Sequence, residues 1–497
     1  MSNLSTRDYL RELIAVLALG AVLALLFAIP AARAAAPEPP EATASIGSVV
    51  DGLVGEALRA NLEIDMAGAT VAERLAALDA ARARYLPALD FNAHYSAADG
   101  GRTIDVPVGD LLNPVYATLN QLTGTSRFPS IANQEINFLR SREQDTKLTL
   151  SQPLYDARLG PARAAAAADY DAASATRSAL ASRIERDMRT AYYRWLEARA
   201  RVGILGVTLE LARENQRVNE SLFKNGKITR DLVYRAEADV LEVEQTKLAA
   251  ENATQLAQSY VNLIRNVSFD APLAVAAVDD ADVAALKTEL AARLGNSAFR
   301  YQGLATTALD RRPELKELAA EADAAAAGEH LARAAFRPQL ALAVDAGTQG
   351  AGYGFTSEDR YVLASVVLKF NLFAGGADRA GLAGARERRK SALDGKSLAE
   401  QRIRLEVQQA LQDFEVAEAS LGTAAKRAEA AAGAFRIAER KRDLGQINQA
   451  EFVDARRVLT DARLNLNVTR FTALGSLANL EYAVGPGRQP LLPESSP

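Results

Sequence analysis

The chain has 497 residues, a formal net charge of −4 and a mean hydropathy of −0.08. It therefore carries neither the basic surplus that nucleic-acid binding needs nor the bulk apolarity of a helical membrane protein. With no cysteine and two histidines, His94 and His330, thiol nucleophiles, disulfides, Cys/His zinc sites and a lipidated N-terminal cysteine are removed together, and neither enzyme chemistry nor a cofactor is expected.

At the N-terminus Arg7 and Arg11 precede an apolar run from Leu13 to Ile29, followed by Pro30 and the small-residue stretch AARAAA at 31–36. This pattern predicts a secretory signal over residues 1–34, cleaved after Ala34. The other reading is an uncleaved anchor, for which a run of about 17 residues is marginal against a core of about 30 Å. No later stretch is long and apolar enough to span as a helix. Residues 35–86 are expected to form an N-terminal periplasmic helical segment.

The rest of the chain reads as two copies of one pattern. RYLPALDFNAHYSA at 84–97 is answered by FRPQLALAVDAGTQ at 336–349, and TKLTLSQPLYDARLGPARAA at 146–165 by SVVLKFNLFAGGADRAGLAG at 365–384. Each stretch alternates. Leu89, Phe91, Ala93 and Tyr95 share one face against Asp90, Asn92, His94 and Ser96. Val362, Ala364, Val366, Leu368, Phe370 and Leu372 share another against Ser365, Lys369 and Asn371. The alternation predicts strands over 87–97, 144–155, 338–347 and 360–373, each of roughly the ten residues a tilted strand uses to cross a bilayer. Between the first two strands, residues 98–142 are rich in Gly, Pro, Asn, Thr and Ser and read as a long loop; strand polarity places it outside the cell.

Each strand pair precedes a helical hairpin, predicted over 160–268 and 376–483. From Ile184 the apolar positions step through Met188, Ala191, Trp195, Ala198, Val202, Leu205, Leu209 and Ala212. From Ile403 they step through Val407, Ala410, Phe414, Ala417, Leu421, Ala424, Ala428, Ala431, Phe435 and Ala438. Alternating steps of three and four mean helices that supercoil with knobs-into-holes seams. The return helices continue the rhythm through Val233, Ala236, Val240 and Val243, and through Phe452, Ala455, Leu459, Ala462 and Leu466. A further helix is expected over 305–336. Residues 269–301, with Asp279, Asp280 and Asp282, read as the linker between the copies, and 485–497 as a C-terminal tail. Trp195 is expected in the seam, His94 on the polar strand face and His330 as a solvated or packing residue on an Ala-rich helix.

The two hairpin tips repeat most closely. LFKNGKITRDLVYRAEADVL at 222–241 parallels KRDLGQINQAEFVDARRVLT at 441–460, with Gly226 and Gly445 standing 219 positions apart. Each is a helix stop at glycine followed by a new helix start. Four membrane strands leave two open edges, and lipid tolerates no unpaired backbone there, so other copies must close the sheet. A dimer with eight strands and a trimer with twelve both satisfy that demand.

The duplicated order strand, strand, long helix, glycine-tipped turn, return helix, together with LGQINQAEFVDARR at the second tip, resembles the TolC-like outer membrane efflux protein family over roughly residues 46–485. The resemblance implies a mixed α+β membrane protein. It would be a homotrimer with a twelve-stranded β-barrel in outer-membrane lipid, continued by a long α-helical barrel through the periplasm. It also implies docking, through tips that include Gly226, Lys227, Gly445 and Gln446, to a periplasmic adaptor (membrane fusion protein) and an inner-membrane transporter, in efflux or type I secretion. The family's acidic pore constriction falls on Glu451 and Asp454. Glu451 also fits a helix capping box with Asn448, so cap and gate both stay open for it. The first tip departs from the family pattern, having Leu232 and Arg235 at the equivalent positions, and only the glycines match at the tips themselves. The other reading compatible with these seams is a soluble periplasmic coiled-coil scaffold or an adaptor.

Overall fold

A computed structural model describes residues 45–294, 299–354 and 356–485. The expected signal over 1–34 and all of the tail after Gly485 lie outside the described residues. Two short helices open the described chain, α1 (Ile46–Ala60) and α2 (Leu62–Ala83). Asn61 ends the first and caps the second, its Oδ1 accepting from Glu63 N at 2.9 Å.

The first repeat contributes β1 (Ala88–Ala97) and β4 (Arg142–Asp156), then the 66-residue helix α4 (Leu159–Lys224) and its return α5 (Arg230–Ile264). At 1.5 Å per residue α4 is about 100 Å long. Between β1 and β4 the segment expected as a loop over 98–142 is folded, with β2 (Thr103–Val106), α3 (Val108–Thr123) and β3 (Gln134–Asn137). Its Gly and Pro content suggested a loop, but Gly100, Gly101 and Gly124, all with positive φ, stand at the corners of small elements, and Gly109 and Pro114 lie within α3 itself.

The linker carries α6 (Asp280–Leu294), and its acidic patch is structural: Asp279 Oδ1 accepts from Ala281 N at 2.8 Å at the helix start, and Asp280 accepts from Arg470 Nε at 2.8 Å. The single helix expected over 305–336 is two, α7 (Tyr301–Arg311) and α8 (Pro313–Ala334). Pro313 has no N–H and forces the preceding Arg312 into an extended conformation, φ −64 and ψ 122, which ends α7.

The second repeat then supplies β5 (Gln339–Gly350), β6 (Arg360–Lys369), the 67-residue α9 (Ala377–Asp443) and α10 (Gln449–Val484). The strand predicted to reach 373 stops at Lys369 because its ladder partner β5 begins at Gln339, just after Pro338, which cannot donate. The strand predicted to end at 347 runs to Gly350, held by pairing with β4 as far as Gln144.

The four long strands form one antiparallel sheet in the order β1-β4-β5-β6, so the repeats meet at β4–β5 while β1 and β6 are left as edges. One face exposes Leu89, Phe91, Leu148, Val362, Val366 and Leu368. The other carries Asp345, which accepts from Thr149 Oγ1 at 2.6 Å and pairs with Lys147 at 3.4 Å, and Asp145, which accepts from Tyr361 Oη at 3.0 Å.

The main core lies where α1, α6 and α7 pack onto the middle stretches of α4 and α9 and the ends of α5 and α10 away from the tips. Val50, Met188, Tyr192, Leu290, Phe414 and Leu480 are fully enclosed there. Tyr192 donates to Ala274 O at 2.8 Å and accepts from Ala276 N at 3.2 Å, tying the linker to α4. Charges are buried beside it. Arg189 donates to Asp51 at 3.0 Å and to Glu185 at 2.9 Å, with Glu481 3.9 Å away and itself accepting from Arg293. This joins α1, α4, α6 and α10 at one point. The seams expected on the long helices are largely buried; Ala198, Val202 and Ala410 are the half-buried members on the outgoing helices.

Candidate channel mouth at the hairpin tips

The two tips have the same backbone. Gly226 and Gly445 both have φ +67, and in each turn the residue after the glycine donates five residues back: Lys227 N to Leu222 O at 2.9 Å, Gln446 N to Lys441 O at 2.8 Å. This is the closing bond of a Schellman-type helix end, which needs a left-handed residue before it. Lys227 and Gln446 project into solvent.

The helix starts that follow are not the same. In the second tip Asn448 Oδ1 accepts from Glu451 N at 2.9 Å, and its Nδ2 donates to Glu451 Oε1 at 2.9 Å. The capping geometry left open for Glu451 is therefore formed, and Glu451 stays exposed while it caps. In the first tip Thr229 makes no cap bond to the backbone and instead donates to the side chain of Asp231. Asp454 is exposed and makes no hydrogen bond or ion pair among the described residues.

A groove of about 330 Å³ separates the tips, lined by Leu232, Arg235, Asp239, Gln449, Val453 and Asp454 among others. Asp454 and its first-repeat counterpart Arg235 thus face the same groove with opposite charge, while Glu451, three residues before Asp454, is not among its walls.

Beneath the groove lie contacts that sequence reasoning missed. Arg456, 3 % exposed, donates to Asp239 Oδ1 at 2.5 Å across the two repeats. Gln449 Nε2 donates to Asn215 Oδ1 at 2.8 Å, and Thr208 and Thr460 lie 3.1 Å apart between their hydroxyl oxygens. Arg456 Nε and Nη1 and Asp239 Oδ2 have no hydrogen-bond partner among the described residues, so this pair is buried and only half satisfied there. The one available signal was a charge at Arg456, four residues beyond Phe452 on the stripe that continues to Leu459.

Comparison with known proteins fits this geometry. The family model described as outer membrane efflux protein matches residues 53–265 and 304–486, which is both repeats. The chain belongs to the outer membrane efflux protein family. It is thus an outer-membrane protein whose helices span the periplasm, and the soluble scaffold or adaptor reading does not apply. No curated protein sequence matches it. Among solved structures it is similar to the CmeC outer membrane channel of Campylobacter jejuni, at 16 % identity and TM-score 0.72, covering 88 % of this chain and 86 % of that one. It is similar to the outer membrane protein VceC of Vibrio cholerae, at 18 % identity and TM-score 0.70, covering 88 % and 96 %. It is also similar to the open state of the MtrE channel of Neisseria gonorrhoeae, at 19 % identity and TM-score 0.67, covering 88 % and 89 %. At these identities the likeness is one of fold.

Proposed function

We propose that the protein is the outer-membrane duct of a tripartite export system, for efflux or type I secretion. It would passively conduct cargo delivered by a periplasmic adaptor and an inner-membrane transporter, with no reaction of its own. The observation that carries this reading is the duplicated sheet with edges at β1 and β6 and an apolar face toward solvent. Pairing β6 of one copy with β1 of the next leaves no free edge when the ring closes, and three copies of four strands give a twelve-stranded barrel in outer-membrane lipid. The long hairpins then continue as a helical barrel, and the tips with Gly226, Lys227, Gly445 and Gln446 meet the adaptor.

Glu451 and Asp454 form the acidic constriction in this reading. Three copies of each at a narrow mouth favour cations through a field that salt screens over about 8 to 10 Å. The double variant Glu451→Gln, Asp454→Asn keeps side-chain size and removes the charge. Reversal potentials in a salt gradient across planar bilayers are expected to lose their cation preference, most at low ionic strength, and block by divalent cations from the periplasmic side weakens. Equal reversal potentials for wild type and variant would remove the acidic gate and reduce Glu451 to the cap it forms with Asn448.

A further inference from the structure

The insert between β1 and β4 has a face with no core beneath it. Helix α3 places Val108, Leu111, Val115, Thr118 and Leu122 at heptad spacing, one continuous stripe. Leu111, Val115 and Leu122 are 70 %, 51 % and 78 % exposed, and only Gly109 of the whole helix is buried.

The opposite face explains why this exposure is not looseness. Asn113 and Asn120, one heptad apart and about half a helical turn from the stripe, staple the return segment to α3. Asn113 accepts from Ile131 N and donates to Ile131 O, both at 2.8 Å. Asn120 accepts from Phe128 N at 3.1 Å and donates to Phe128 O at 2.8 Å. At Gly109 an added Cβ would lie 2.3 Å from Ile131 O, so the helix start is pressed against the same segment. The insert is a pre-organised unit that presents an apolar stripe outward. A second apolar patch lies on its β2–β3 ladder, where Ile104 stands directly opposite Ile136 and Phe138 follows, all three exposed.

We infer that these two patches bind each other between copies of this chain, the α3 stripe of one protomer seating on the β2–β3 face of the next. The copies would so form a collar around the external mouth. This rests on the proposed ring assembly and extends it. Three observations favour a second copy as the occupant. The edge strand β1, which needs the neighbour's β6, runs through Gly100 and Gly101 directly into β2, so the insert stands over the seam between protomers. A closed ring is built from head-to-tail contacts, each needing two different patches per copy, and the insert carries two. The neighbour's β6, which forms the other side of that seam, is joined to β5 by a short connection and not by an insert, which leaves the space beside this insert open to the insert of the next copy.

The test places the photocrosslinker p-benzoylphenylalanine at Leu122 in the full-length protein in outer membranes. Native mass spectrometry of the purified sample reads the assembly independently. Expected are covalent species of two and three chains, with the adduct mapping to residues 102–139 of the second copy. Adducts to lipopolysaccharide or to another protein, or a native trimer with no adduct, would overturn the collar and leave the duct intact. A native monomer would overturn both. The double variant Leu111→Ser, Leu122→Ser is expected to assemble but to dissociate from oligomer to monomer several degrees lower than wild type. An unchanged dissociation temperature would again remove the collar.

Discussion

Tyr193 lies in the packed region of α4 next to Arg189. Burial pushes its hydroxyl up from an ordinary 10.0 to about 12, with the Arg189 guanidinium opposing that rise. A tyrosine raised in the folded state keeps its proton where the unfolded chain has lost it. Its contribution is therefore intact below about pH 10 and is lost as pH rises from 10 toward 12, by about 3 kcal/mol in all. Tyr193→Phe should show a shallower loss of stability over that interval in thermal melts followed by circular dichroism; parallel curves would mean that water reaches the hydroxyl. Arg456 and Asp239 make the same kind of statement about charge. Arg456→Met strands a buried carboxylate and should cost about 3 to 5 kcal/mol, whereas Arg456→Met with Asp239→Leu should recover most of that loss. A double variant as unstable as the single would mean that the pair is replaced by nothing the apolar side chains can fill.

At the scale of elements, the two tips share one turn and differ in how the next helix starts. Asn448→Ala should lower stability by about 1 kcal/mol through loss of the cap on α10, while Thr229→Ala, which removes no backbone cap bond, should change little. Equal effects would mean that Thr229 caps α5 in the assembled protein. The turns were legible because a glycine stop and a new apolar rhythm are local signals. The seams on α4 and α9 were legible because a period of three and four persists over many turns, and Phe414, Leu421 and Phe435 are buried where it places them. The insert was not legible: α3 has only a few turns, contains Pro114, and is fixed by Asn113 and Asn120 reaching segments that no local pattern identifies. The break at Arg312 was legible in principle, since Pro313 stands in the sequence, but the Ala-rich pattern on either side hid it. The Asp239–Arg456 pair joins different repeats, and no spacing along one helix announces a partner 217 residues away.

At the scale of the molecule, the order β1-β4-β5-β6 with a β2–α3–β3 crown on one end of the sheet gives the protein a direction across the membrane. The crown and the helical hairpins leave the sheet at opposite ends. A short epitope inserted after Gly124, at the corner beyond α3, should be bound by antibody on intact cells while export continues. Binding only after the outer membrane is opened would invert the orientation. The repeats are alike enough to share strand register and tip geometry, yet they are fused into one chain. In the proposed ring of three copies, two separate but identical halves would have given the mouth sixfold symmetry, every tip the same. Fusion lowers the symmetry of that proposed ring to threefold and lets neighbouring tips diverge: one presents Leu232 and Arg235, the next Glu451 and Asp454, at matching places. The proposed adaptor would therefore meet two kinds of socket in alternation around that ring, and could be held in one rotational setting where six equal sites would let it slip by a tip.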